Sequence, residues 1–209
     1  MSENKEKYFN VGREYGPEEF KEKGSRFISF LYPVGSKDDA EKIIQKLRKK
    51  FYDASHVCFA YRVGEGEEKY FRSSDDGEPG STAGLPIYNE IKSKGYFNVL
   101  TVVVRYFGGT KLGTGGLARA YANSARKVIE ISEKVTVFVK KDVSVSFPYS
   151  FTGEIMQVIN RYSIDIISRD NRAEGIYMKL AVPEAVIEKA AQAISNKSSG
   201  KIKLFPLKC

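Results

Sequence analysis

The sequence predicts an α+β chain of two domains, spanning 1–134 and 135–209. Three observations carry this. The β-branched run Val102-Val103-Val104 leads into five glycines within Gly108 to Gly116, and then into Leu117, Tyr121, Ala125 and Val128 at helical spacing. That is strand, glycine loop, helix. The residues from 135 onward spell β-α-β-β-α-β, the ferredoxin-like pattern. The 209 residues suffice for one large or two small domains.

Along the first domain, strand character runs from about Arg13 to Lys23, with Gly16-Pro17 as an irregularity. Lys23-Gly24-Ser25 reads as a turn and Arg26 to Val34 as a strand. Ser36 is suited to cap a helix, and Asp38 and Asp39 complement its positive end. Ala40, Ile43, Ile44, Leu47 and Phe51 form that helix's apolar face. Lys42, Lys46, Arg48, Lys49 and Lys50 line the rest, which is ordinarily a solvated surface. His56 to Val63 is a strand, Gly64 to Glu68 a hairpin turn and Lys69 to Arg72 the return strand. A helix is predicted over about Ala83 to Lys94, capped by Ser81 or Thr82 and ended by Gly95.

In the second domain Val135 to Val139 and Val143 to Phe147 read as strands, with Lys140-Lys141-Asp142 between them as a linker. A helix capped by Thr152 covers Phe151 to Tyr162. Ile164 to Arg169 is a strand, Asp170 to Gly175 a turn and Ile176 to Val182 the returning strand. Pro183 starts a helix to about Ser195, and Lys201 to Phe205 closes the sheet.

Charge and composition bound the function. The net charge is +8, with 23 basic against 19 acidic groups in 1–134 and 11 against 7 in 135–209. This favours a polyanion such as RNA only mildly over plain solubility. No apolar run approaches the ~20 residues that a membrane span needs. The N-terminus lacks the apolar segment of a signal peptide. Cys58 and Cys209 are lone thiols far apart, which fits a reducing cytoplasm better than a disulfide scaffold.

The glycine loop is the leading site candidate. Bare backbone N–H groups at a helix start make a seat for an anion, a phosphate or nucleotide included, and Lys111 and Arg119 add charge. Glycines also serve tight turns and close packing with no ligand at all, so both readings stand. The string matches neither the P-loop nor the dinucleotide fingerprint. In the Ser73 to Gly84 segment, Asp75, Asp76 and Glu78 could hold Mg²⁺. Equally, Asp-Asp-Gly and Pro-Gly are turn dipeptides, and turn-and-cap is preferred because each residue then has an ordinary local role. His56 is the only histidine, and a structural, hydrogen-bonded histidine is its default. No residue pair supplies an evident nucleophile and base.

Four blocks occur in order: Lys23-Gly24-Ser25-Arg26-Phe27, His56 to Tyr61, Ser74 to Ile87, and Arg105 to Tyr121. Together they resemble the IMPACT/YigZ family of small cytosolic proteins, over nearly the whole chain. The resemblance implies an N-terminal domain with the fold of the second domain of the fifth ribosomal small-subunit protein, built on three strands, a helix and a left-handed crossover. It also implies a ferredoxin-like C-terminal domain. The family's better-known eukaryotic members regulate translation by competing with a protein kinase for a ribosome-associated activator. The expectation is therefore a cytoplasmic, non-enzymatic protein of translation or its regulation. It would contact RNA, the ribosome or a ribosome-associated protein through Arg105, Gly108, Gly109, Lys111, Gly113, Gly115, Gly116 and Arg119. His56, Asp75, Asp76 and Glu78 would flank that surface. No catalytic residue, metal ligand or cofactor is assigned. The rival is a Mg-dependent enzyme or binder of a nucleotide or phosphorylated small molecule, with carboxylates on the metal and Lys111 on the phosphate.

Overall fold

A computed structural model describes residues 7–64 and 70–207. Cys209 and most of the expected Gly64 to Glu68 turn lie outside those residues. The described residues divide into two compact units, Tyr8–Val137 and Phe138 onward.

The larger unit contains β1 (Lys7–Val11), β2 (Tyr15–Glu22), β3 (Ser25–Pro33), α1 (Lys37–Lys50), β4 (His56–Val63), β5 (Tyr70–Ser74), α2 (Gly84–Ser93), β6 (Val99–Tyr106), α3 (Gly113–Glu130) and β7 (Lys134–Phe138). Five strands make one antiparallel sheet in the order β2-β3-β6-β4-β5. β1 and β7 form a separate two-stranded ribbon. The sheet is thus wider than the three strands that the resemblance implies.

Helices cover both faces of this sheet, which explains why β4 and β6 read as near-continuous apolar runs rather than alternating ones. On one face Phe27, Leu31, Cys58, Ala60, Val99 and Val103 pack with Ile87 and Ile91 of α2 and Leu117, Tyr121, Ala125 and Val128 of α3. On the other, Ile28, Phe30, Val57, Phe59, Tyr61, Leu100, Val102 and Val104 pack with Ala40, Ile44 and Leu47 of α1. Each fully buried large apolar side chain contributes roughly 1.5–3 kcal/mol.

Local signals set the boundaries. Ser36 caps α1, its hydroxyl accepting from the Asp39 N–H at 3.2 Å. Gly95, at φ +71°, follows α2 in the left-handed region. The β2–β3 register shifts between Tyr15 and Glu18, around Gly16-Pro17.

The smaller unit contains β8 (Lys140–Phe147), α4 (Thr152–Arg161), β9 (Asp165–Arg172), β10 (Gly175–Pro183), α5 (Ile187–Lys197) and β11 (Phe205–Pro206). Its antiparallel sheet has the order β11-β8-β10-β9. Val143, Val145, Phe147, Ile176, Met178, Leu180 and Val182 meet Ile155, Val158 and Ile159 of α4 and Ala190 and Ile194 of α5.

Several boundaries depart from expectation. Lys140-Lys141-Asp142 is no linker: it opens β8, whose pairing with β10 extends to Lys140 opposite Pro183. Thr152 does not cap α4, since its hydroxyl donates back to the Tyr149 carbonyl at 2.7 Å within a preceding 3₁₀ turn. Pro183 ends β10, and a 3₁₀ turn over Glu184–Val186 delays α5. β9 runs on to Arg172 through the expected turn residues, because its ladder to β10 pairs Gly175 with Arg172.

Candidate functional site: the glycine loop and its root

β4 and β6 are antiparallel neighbours, and their register places His56 opposite Arg105. Arg105 falls in phase with Val99 and Val103, on the α3-facing side of β6, so it turns inward under the loop rather than out to solvent. Glu78 receives it. Arg105 Nη1 donates to Glu78 Oε1 at 2.6 Å, with the two side chains 5% and 3% exposed. Tyr121 of α3 donates to the same oxygen at 2.7 Å. Arg105 Nη2 donates to Ser25 Oγ at 3.2 Å, and Ser25 Oγ also accepts the Gly108 N–H at 3.2 Å. His56 Nε2 lies 3.7 Å from Glu78 Oε1, and its Nδ1 lies 2.8 Å from the Asp76 carbonyl oxygen.

The root of the loop is therefore a buried polar network, in which both terminal nitrogens of Arg105 are hydrogen-bonded while its Nε has no partner among the described residues. A buried guanidinium–carboxylate pair with extra hydrogen bonds offsets the cost of taking both charges out of water. Burial pushes the Tyr121 hydroxyl pKa well up, and neighbouring Cys58 and Glu78 add to the effect. Burial likewise raises Cys58, against a lowering hydrogen bond to Tyr121; Glu78, Asp76 and Asp75 raise it further. Cys58 therefore stays a thiol, inert as a nucleophile.

The two aspartates have structural work. Asp75 Oδ1 accepts the Ala83 and Gly84 N–H groups at 2.9 Å each, and Oδ2 accepts the Ser81 N–H at 2.9 Å. It thus caps the N-terminus of α2 from a distant position, correcting the assignment of that role to Ser81 or Thr82. Thr82 instead donates to the Pro79 carbonyl at 2.6 Å. Desolvation pushes the Asp75 pKa up, but the N–H groups of Ser81, Gly84, Ala83 and Thr82 outweigh it and hold the carboxyl below its ordinary range. Asp76 Oδ2 accepts the Val57 N–H at 2.7 Å, and Oδ1 pairs with Arg48. Asp75, Asp76 and Glu78 are each committed, and among the described residues no three His, Cys, Asp or Glu side chains come together as a metal site. This donor set does not fit the Mg²⁺ that the rival reading needs.

The glycines separate by role. A Cβ on Gly108 would fall 1.9 Å from the Gly24 carbonyl carbon and 2.2 Å from the Ser25 nitrogen, so only glycine permits this approach of β6 to the β2–β3 turn. Gly116 is tight against Leu112, at 3.1 Å. Around Gly109 and Gly113 there is open space, although both have positive φ. Gly115 is different: it has neither positive φ nor a close neighbour, only Arg119 Nη1 at 3.7 Å. It sits in the first turn of α3, where no side chain caps the helix and no acidic residue stands. Lys111 and Arg119 are exposed, with no carboxylate partner among the described residues.

The structure thus brings His56, Glu78 and Arg105 together with Ser25, Cys58 and Tyr121, beneath the loop rather than on a contact surface. Ser25 stood in the sequence as a turn residue and Tyr121 as part of a helix's apolar face. What marked them was only their position in the same blocks as the other members.

The Impact N-terminal domain model matches residues 23–129, and the chain belongs to the IMPACT family. It is similar to the IMPACT family member YvyE of Bacillus subtilis, 32% identical over 194 residues, covering 93% of this chain and 88% of that one. It is similar over 93 residues to Protein IMPACT of Rattus norvegicus, 36% identical, covering 43% of this chain and 29% of that protein. A crystal structure of a hypothetical protein superposes with a TM-score of 0.69 at 26% identity, covering 97% of this chain and 98% of that one. No helix among the described residues is long and apolar enough to cross a membrane.

Proposed function

We propose that this chain is a cytoplasmic, non-enzymatic binding protein of translation or its regulation. It contacts RNA, the ribosome or a ribosome-associated protein through the exposed part of the glycine loop. Gly109, Gly113 and Gly115 offer backbone N–H groups without side-chain barriers, and Lys111 and Arg119 meet phosphate. Arg105, Gly108, His56, Asp75, Asp76 and Glu78 hold that surface in place from below. The observation that carries this reading is Gly115. Glycine is less favourable than alanine within a helix, and at Gly115, in the first turn of α3, no packing requirement explains it. A close approach by another molecule does.

The IMPACT kinship supports translation as the setting, since the family's eukaryotic members act there. In this reading 1–134 is the contact module, with the fold of the second domain of the fifth ribosomal small-subunit protein. Residues 135–209 are a ferredoxin-like companion.

The test is co-sedimentation with ribosomes across a salt series, comparing the native chain with Lys111→Ala/Arg119→Ala. The expected result is weaker binding with a shallower dependence on salt, because two phosphate contacts are lost. Unchanged binding with an unchanged slope overturns the assignment.

A further inference from the structure

From the surroundings of the loop, we infer that the surface on which it stands is a platform for single-stranded RNA, with Tyr52 and Phe107 stacking on unpaired bases. This rests on the proposed function and names its ligand. Three segments are joined edge to edge here. The 23–26 turn meets the loop through the Gly24–Gly108 approach, and the Arg26 guanidinium lies 4.6 Å from the centre of the Tyr106 ring. The 51–55 turn after α1 meets it through three hydrogen bonds: Tyr106 hydroxyl to Asp53 Oδ1 at 2.9 Å, Phe107 N–H to Ser55 Oγ at 3.0 Å, and Ser55 N–H to the Arg105 carbonyl at 2.9 Å.

This junction carries two exposed rings. Tyr52 is 86% exposed and Phe107 50%. The Phe107 ring has the Arg105 guanidinium 5.6 Å from its centre. The segments that meet here also carry lysines: Lys49 and Lys50 just before Tyr52 in the chain, Lys23 in the turn that Gly108 approaches, and Lys111 in the loop, all exposed and without a carboxylate partner among the described residues. Asp53, in the same turn, accepts the Tyr106 hydroxyl and sets one negative charge against these four lysines. The surface therefore carries an excess of positive charge and two exposed flat rings. Lysines follow a phosphate backbone, and rings stack on bases of any sequence, which is how single strands are held. A duplex keeps its bases paired and offers the rings nothing to stack on. A protein partner would call for a continuous apolar centre, whereas the exposed large apolar side chains of these segments are Tyr52 and Phe107 alone among the described residues.

Fluorescence anisotropy with a labelled twelve-nucleotide oligouridine, a twelve-base-pair RNA duplex and a poly-glutamate peptide tests this. Tyr52→Ala and Phe107→Ala should each weaken oligouridine binding about five-fold or more with the salt slope unchanged, since stacking is uncharged. Lys49→Gln/Lys50→Gln should instead make the slope shallower by about 0.7 per lysine. Urea midpoints confirm that each variant folds; should Phe107→Ala fail to fold, Tyr52→Ala decides, its ring being almost wholly outside the fold.

Oligouridine binding indifferent to both rings overturns the inference. So does a duplex bound as tightly as the single strand, or poly-glutamate bound with the same dependence on the rings. Loss of ribosome binding in Lys111→Ala/Arg119→Ala with ring-independent oligouridine binding leaves the loop's role standing and removes only this platform.

Discussion

Arg105 and Lys111 stand in one sequence block, yet Arg105 is 4% exposed and tied to Glu78, whereas Lys111 lies open and unpaired among the described residues. The same contrast divides the glycines: Gly108 is wedged against Gly24, whereas a Cβ on Gly115 would meet only the Arg119 side chain, at 3.7 Å. A dense motif can thus be two devices in series. Its first half builds a rigid base, and only its second half is free to meet another molecule.

Glu78→Ala should break this division most severely. It leaves the Arg105 charge buried without its counter-ion and removes the acceptor of the Tyr121 hydroxyl, so a loss of about 3–5 kcal/mol is expected in urea unfolding. A loss under 1 kcal/mol would show the pair to be solvated and the root open. Next comes Gly108→Ala, whose added methyl collides with backbone; a loss of about 1–3 kcal/mol should follow. Asp75→Asn should cost about 1 kcal/mol as a weakened cap. It also carries a pH signature. The folded carboxyl titrates below its ordinary value of 3.8, so its contribution is complete above that value and fades as the pH falls through the depressed one. Asp75→Asn should therefore flatten the acid limb of the stability profile below about pH 4. Smallest is Gly115→Ala, which should stabilise the fold by about 0.5–1 kcal/mol while impairing ribosome co-sedimentation. Stabilisation with intact binding would return Gly115 to neutrality and remove the chief support for the loop's role.

The same contrast explains what could be read beforehand. β4 was legible to the residue as His56–Val63, because a sheet covered on both faces makes its central strands uniformly apolar. α1 was legible through Ser36, whose cap is local. The cap of α2 was not, because Asp75 reaches the helix across a turn rather than from the position before it. Lys140-Lys141-Asp142 looked like a break because β8 starts with polar residues, and only cross-strand pairing makes them strand. At the site, the glycines and lysines announced themselves by composition. The inward turn of Arg105 did not, because it depends on which face of β6 meets Tyr121 and Glu78.

The β1–β7 ribbon has a consequence for how the molecule is made. Its first strand precedes every other element of the larger unit in the chain, and its second follows α3. Phe9 can exchange backbone hydrogen bonds with Gly95 and Phe97 once those residues are out, but the ladder to β7 must wait until Phe138 has left the exit channel. The larger unit is in this way latched by its own last strand, so a chain stalled before that point carries an opened seam at β1.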